Sequence, residues 1–280
     1  MESPLQIYKG VDKWHDTMKE IRWHTYGAVT ELLKLPSANS QAKLKAIKKW
    51  WKIWFPKIEL NAYTCSLPSG YSCPFAHDCK SKADRVTGKI TDGKHTEFRC
   101  YSASLEAMYP TVRDMTWHNF DLLRKMDTEE MVSVIHESVA EDMTLMRVHQ
   151  NGDFFNAKYF NAWMQVASLY PNKIFYAYTK SLRYWLECPE IPSNFKLTAS
   201  RGGRDDALID EFNLKCAEVV FSPEEAERKG LEVDTDEWHA IVGEESFALW
   251  VHGTQPKGSK GAEGKKLLKE RGIKHEYTRN

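Results

Sequence analysis

The pattern of apolar and polar positions changes character along the chain. Between residues 11 and 34, Trp14, Met18, Ile21, Tyr26, Val29, Leu32 and Leu33 recur at near-helical spacing, which predicts a helix stopped by Leu35-Pro36-Ser37. Residues 40–54 predict a second helix. Leu44, Ile47, Trp50, Trp51 and Trp54 lie on one face and Lys43, Lys45, Lys48, Lys49 and Lys52 on the other. Residues 58–63 read as a short strand, 103–125 as a helix, and 128–141 as another with Asp127 or Thr128 as its N-cap. Beyond this point short apolar strands alternate with helices. The strands are expected at 144–149, 173–178, 195–199, 217–221 and 247–251. Helices are expected at 157–169 and from Ser222-Pro223-Glu224-Glu225, where a cap, a proline and first-turn acids coincide.

Such alternation predicts a mostly parallel sheet. The expected class is α/β, with a partial (β/α) barrel-like sheet and a helical amino-terminal extension. Residues 1–57 form the extension, 58–255 the α/β domain, and 256–280 a flexible basic tail with a short helix near 265–270. Parallel sheets place ligands at the carboxyl ends of their strands. Here those ends carry His149 and Asp153, Thr179 and Lys180, Ser200 and Arg201, Ser222 and His252. Gly152-Asp153 allows a sharp turn that would aim the Asp153 carboxylate into a crevice, with His149 and Lys180 facing it. Asp153 acting as a helix cap, or as an ion-pair partner of Lys180, is the structural alternative.

The cysteines change this picture. Four of the six, Cys65, Cys73, Cys79 and Cys100, fall in one polar stretch from Thr64 to Ala103. Between Cys79 and Cys100 the residues read as a solvated loop whose base needs an anchor, and thiolates on a metal or cluster would supply one. No C-x-x-C pair occurs, so zinc-ribbon and ferredoxin spacings are absent. Cys188 and Cys216 read as packing residues.

Composition adds little. Acidic and basic residues balance at 39 each, and 42% of positions are hydrophobic, an ordinary globular profile. No apolar run approaches the ~20 residues of a spanning helix. With no apolar signal stretch at Met1-Glu2-Ser3-Pro4, a cytoplasmic setting without disulfides is expected. The lysine face of residues 43–52 reads either as a solvated surface or as a contact for nucleic acid.

Ser72-Cys73-Pro74-Phe75-Ala76-His77-Asp78-Cys79 and Cys100-Tyr101-Ser102-Ala103 resemble the bacteriophage gene product 88 family. Arg147-Val148-His149-Gln150-Asn151-Gly152-Asp153, Phe175-Tyr176-Ala177-Tyr178-Thr179-Lys180 and Val251-His252-Gly253 extend the resemblance in order. It implies a phage-encoded protein of the host cytoplasm. A looser likeness is to radical S-adenosylmethionine enzymes, although their C-x3-C-x2-C spacing is absent. That likeness implies a [4Fe-4S] cluster on Cys73, Cys79 and Cys100, with Cys65 as a possible fourth ligand. It also implies a redox or radical-type reaction on a small-molecule substrate, with S-adenosylmethionine as a further cofactor. The alternatives are a structural zinc or cluster protein that binds nucleic acid, and a non-catalytic electron carrier or phage structural component.

Overall fold

The computed structural model describes residues 29–38 and 42–273. Among these, the elements in chain order are α1 (Ala42–Trp54), β1 (Ala62–Cys65), β2 (Ser81–Ala83), β3 (Ile90–Asp92), α2 (Tyr101–Met108), α3 (Pro110–Leu123), α4 (Thr128–Ser138) and β4 (Leu145–Val148). There follow α5 (Ala157–Leu169), β5 (Ile174–Thr179), α6 (Leu182–Glu187), β6 (Phe195–Ser200), α7 (Ala207–Glu211), β7 (Cys216–Val220), α8 (Pro223–Lys229), β8 (Glu232–Val233), α9 (Trp238–Ile241), β9 (Phe247–Trp250) and α10 (Lys260–Glu270).

Seven strands form one sheet in the order β1-β4-β5-β6-β7-β9-β8, and every pairing in it is parallel. The α/β expectation holds. Apart from the separate β2–β3 hairpin, each strand from β1 to β7 joins the same growing edge, as in a partial (β/α) barrel. Alternation then sorts the side chains. Cys65, Met146, Val148, Phe175, Ala177, Phe195 and Leu197 share one core with Tyr159, Phe160 and Trp163 of α5 and with α4. Ala62, Leu145, Tyr176, Ala217 and Phe247 face the other way, onto Trp50 and Trp51 of α1 and onto α9. Both faces are therefore covered, which suits a fully parallel sheet.

Several expectations are corrected. Most of the helix expected at 11–34 lies outside the described residues, and its described end is not helical. There Leu33 N–H donates to Ser138 Oγ at 2.8 Å and Lys34 N–H to Asn119 Oδ1 at 2.8 Å, while Ser37 pairs antiparallel with Tyr63. The helix expected at 103–125 is two helices. Tyr109 is extended and Pro110 opens α3, because a proline ring disfavours helical backbone in the residue before it. The loop between Cys79 and Cys100 is an ordered antiparallel hairpin, β2–β3, whose Ser81 and Ala83 are fully buried. Its own bonds close its base: Ser81 Oγ donates to Asp92 Oδ1 at 2.8 Å, and Arg99 clamps Asp92 at 2.6 Å. No metal is needed for that. The tail is docked rather than loose as far as Ile273. Ser259 caps α10, and Leu268 packs against Phe221 and Val251. Among the described residues no helix is long and apolar enough to cross a membrane.

Candidate functional site

The carboxyl edge of the sheet is roofed by the stretch that carries the cysteines. The turn after β4 is bound to it most closely. Leu67 N–H donates to Asn151 O at 2.9 Å, and Gln150 N–H donates to Cys65 O at 2.9 Å. Ser102 Oγ donates to Gln150 O at 3.2 Å. Gly152, at φ +84°, has no room for a side chain, since a Cβ would stand 2.5 Å from Ser72 Oγ and 2.8 Å from Leu67 O. Beyond β6, Gly202 O accepts from Asp78 N–H at 3.0 Å, and Ala76 bridges to Gly203. Beyond β9, Gly253 lies against Tyr101. The ends of β4, β6 and β9 thus meet one continuous cover.

Cys73, Cys79 and Cys100 lie partly buried in that cover, near enough for their charges to act on one another. Burial raises the Cys73 thiol well above its ordinary range, and the charges of Asp153, Cys100 and Cys79 raise it further. Burial, then Cys79, pushes Cys100 up to about 12. Three features work the other way. Gly70 N–H points at Cys73 Sγ from 3.3 Å, the first-turn N–H groups of Ala103 and Ser102 in α2 favour the Cys100 thiolate, and the Lys80 ammonium holds Cys73 O at 2.5 Å. Cys65 is not part of this group. It lies fully buried in the sheet core, with Sγ 3.9 Å from Tyr159 Oη, and burial pushes it up to about 12.

The expected trio of His149, Asp153 and Lys180 is brought to one edge but not face to face. Asp153 Oδ1 accepts from Phe154 N–H at 2.8 Å and Thr179 Oγ1 at 2.6 Å, and Oδ2 from Lys180 N–H at 2.8 Å. The carboxylate therefore joins two strand ends. It neither caps α5, which Asn156 does, nor pairs with the Lys180 ammonium. That ammonium bonds Ser200 O, Ser200 Oγ and Arg201 O within 2.9 Å. His149 holds a left-handed backbone at φ +71° and turns its Nε2 onto Tyr159 Oη at 3.1 Å. Burial alone lowers it to about 3, so the ring is neutral.

Sequence reading missed Glu106. It is fully buried on α2, where Oε1 accepts from Ser69 N–H at 2.9 Å and from Asn151 Nδ2 at 3.2 Å. Oε2 and Ser69 Oγ are buried beside it, and the Ser69 hydroxyl also favours the ionised carboxyl. Burial raises its carboxyl to about 7 against the pull of those donors and of Arg113. A second buried carboxylate, Glu237, accepts from Tyr178 Oη at 3.1 Å and from Arg147 Nη1 at 3.3 Å on the opposite sheet face.

Among the described residues no three His, Cys, Asp or Glu side chains stand close enough to hold a single metal ion. A tetrahedral zinc would draw its sulfurs to about 3.8 Å from one another, from Zn–S bonds of about 2.3 Å. A cluster sets its thiolates farther apart, because each binds a different iron. The N–H groups near Cys73 and Cys100 and the Lys80 ammonium favour negative charge at these thiols.

Fold and site together define an α/β protein whose parallel strands end beneath a cover that carries Cys73, Cys79 and Cys100. A family model described as Gene product 88 matches residues 33–271, and the chain belongs to that family. The Gene 88 protein of Mycobacterium phage L5 is 32% identical over 130 residues, covering 42% of this chain and 48% of that protein. The Gene 88 protein of Mycobacterium phage D29 is 30% identical over 130 residues, with the same shares. The chain thus spans about half the length of the curated relatives it matches. No solved structure matches.

Proposed function

We propose that this is a phage-encoded iron–sulfur protein of the host cytoplasm, with Cys73, Cys79 and Cys100 holding a [4Fe-4S] cluster above the strand ends. What supports the reading is the placement of Cys73, Cys79 and Cys100, from two separate stretches, in the cover over the edge where parallel α/β sheets bind ligands. Cys65 is turned into the core against Tyr159, so Cys73, Cys79 and Cys100 are the thiolates that would hold such a cluster, and a cluster held there would supply one-electron chemistry. The chain's own residues position and shield. Asp153 fixes the turn that supports the cysteine cover, Lys80 and the N–H groups of Gly70, Ser102 and Ala103 balance thiolate charge, and neutral His149 and Tyr159 keep the floor dry. Asp153, His149 and Lys180 are positioning residues in this scheme. The reaction class is redox or radical on a small molecule, and S-adenosylmethionine is the first ligand to test at the cluster.

Iron and acid-labile sulfide in anaerobically isolated protein test this directly. Cys73→Ala, Cys79→Ala and Cys100→Ala should each lose both, and Cys65→Ala should keep both. Stoichiometric zinc without sulfide sinks the reading. A perturbed paramagnetic resonance spectrum on adding S-adenosylmethionine supports that cofactor, and an unperturbed one removes it.

A second reading rests on α1. Lys45, Lys48, Lys49 and Lys52 are exposed along it, while Trp50 and Trp51 donate to Asp236 O and Ile58 O inside the fold. Nucleic acid would therefore meet charge without stacking on these rings. Weak, steeply salt-dependent binding that is lost in Lys45→Glu/Lys49→Glu tests it.

A further inference from the structure

Tyr159 is a buried phenol set on a base. It is fully buried on α5, and its Oη lies 3.1 Å from His149 Nε2. Burial holds the phenol well above its ordinary range and the imidazole down at about 3, so at rest both are neutral. The hydroxyl then donates to Nε2, and the imidazole carries its hydrogen on Nδ1. Two other groups stand near the phenol oxygen. Cys65 Sγ, 3.9 Å away, is a thiol that burial pushes up to about 12, and a protonated thiol is a poor proton acceptor. The Trp163 indole, which favours the phenolate, can only donate. His149 is therefore the base within reach of this hydroxyl.

The imidazole is held there at a cost. The His149 backbone is left-handed at φ +71°, a strained conformation for a residue with a Cβ. Its Nδ1 is buried without a partner among the described residues, so that atom has given up water for nothing in return. A ring needed only for packing would carry no nitrogen. Strain and an orphaned polar atom at one residue point to a functional demand, and what they deliver is Nε2 against the Tyr159 hydroxyl.

Rings lead from this pair to the surface. Phe155 stacks on Tyr159 with centroids 4.6 Å apart, and Phe120 meets Phe155 at 5.2 Å. Trp117 meets Phe120 at 5.9 Å, and Tyr71, 38% exposed, meets Trp117 at 4.8 Å. Lys82 lies over the Tyr71 ring, and Arg85, itself paired with Asp121, over that of Trp117. A cation over a ring opposes loss of an electron from it. Tyr159 combines a ring without such a cation, among the described residues, with a built-in proton acceptor, so a hole made at the outer rings is drawn inward to it. Tyr178 is the comparison. It too bonds an acceptor, Glu237, at 3.1 Å, but Arg147 pairs with that carboxylate and lies over the Tyr178 ring.

We propose that Tyr159 is a one-electron redox site, oxidised through these rings by an outer-sphere one-electron oxidant while His149 takes its proton. The electron leaves the Tyr159 ring, and the oxidised phenol, a strong acid, passes its hydroxyl proton to His149 Nε2. The products are a neutral Tyr159 phenoxyl radical, a His149 imidazolium and the oxidant reduced by one electron. The Asp153 charge, which reaches the phenol, favours the imidazolium formed beside it. When the electron returns, so does the proton, because the imidazolium is a far stronger acid than the restored phenol. The site needs no cluster and goes beyond the iron–sulfur reading.

The test uses the full chain purified with chelator. It is illuminated with tris(bipyridine)ruthenium(II) and a cobalt(III) ammine as electron acceptor, which together supply the one-electron oxidant, then frozen for paramagnetic resonance. A tyrosyl signal that outlives those of the surface tyrosines is expected, and Tyr159→Phe should remove it. His149→Asn, which suits a left-handed backbone and removes the base, should lower its yield by about tenfold or more. Tyr178→Phe should leave it unchanged, and Trp117→Leu, which interrupts the rings, should lower it. Circular dichroism checks the fold of each variant. A measurement on the parent alone guards against a variant that fails to fold: histidine labelled with heavy nitrogen should show a nitrogen coupling to the radical. Absence of a long-lived radical, its survival in Tyr159→Phe, its loss in Tyr178→Phe, or a missing histidine coupling overturns the proposal. Equal yield and spectrum in His149→Asn overturns the role of the base, and equal yield in Trp117→Leu overturns the ring route.

Discussion

Replacing Glu106 by glutamine isolates the most perturbed carboxyl beside the cysteines. The side chain is fully buried, and burial holds it at about 7 against an ordinary 4.5. At about 1.4 kcal/mol per pH unit, that difference makes ionisation inside the fold about 3 kcal/mol harder than in the unfolded chain. The sign follows from proton binding. Between pH 4.5 and about 7 the folded protein keeps a proton that the unfolded chain releases, so stability falls as pH rises through that window. Glutamine reproduces the neutral carboxyl. Its oxygen can take the bonds from Ser69 N–H and Asn151 Nδ2, and its amide can donate to the Ser69 hydroxyl oxygen beside it. In metal-stripped protein, urea unfolding from pH 4 to pH 8 should show parent and Glu106→Gln nearly equal at the acid end. The variant should become more stable by up to about 3 kcal/mol at the alkaline end. Taking the difference between the two proteins cancels every other titration they share. A difference that does not change with pH would refute the reasoning, and would mean that Glu106 is ionised throughout.

Gly152→Ala should cost about 2–4 kcal/mol in denaturant unfolding, because it combines left-handed strain with a clash against Leu67 O and Ser72 Oγ; a neutral result would mean that the turn after β4 is free to move. Asp153→Asn places an amide where Lys180 N–H needs an acceptor, and should lower stability by about 1–3 kcal/mol. An unchanged melting temperature would show that Asp153 is not the tie between strand ends. Asn156→Ala, which removes the acceptor for Tyr159 N–H, should cost about 1 kcal/mol, measured by the same unfolding; no loss would return the capping role to Asp153.

The sheet was legible because its strands are short apolar runs bounded by turn residues, and their order follows from strict alternation with helices. The parity of β1 also held information. Cys65 stands opposite Val148 in register and shares its buried face, so alternation along Ala62–Cys65 argued for the core where clustering in sequence argued for the site. The β2–β3 hairpin was not legible. Its strands have three residues each and are joined by side-chain bonds such as Ser81 to Asp92, which leave no hydrophobic period to read. The division at Pro110 was visible as a proline in an otherwise helical run, and apolar periodicity through 103–125 outweighed it. Glu106 was hidden for a deeper reason. A carboxylate in mid-helix ordinarily marks the solvent side, and only the fold shows that this helix is turned over.

That inversion bears on where function lies. Natural sequences mostly agree with their fold at every level, and local conflicts gather where something other than stability is served. Here the conflicts coincide in space. The helix that begins after Cys100 has its polarity reversed, His149 is left-handed without being glycine, and Asp153 and Glu106 are carboxyls raised by burial. All of them lie along the edge where the strand ends meet the cysteine cover. A cover needed only for packing could have been built from apolar residues at lower desolvation cost. Buried serines, asparagines and carboxyls with directed hydrogen bonds instead hold the cover and the turn after β4 in one arrangement, which is what the proposed site calls for.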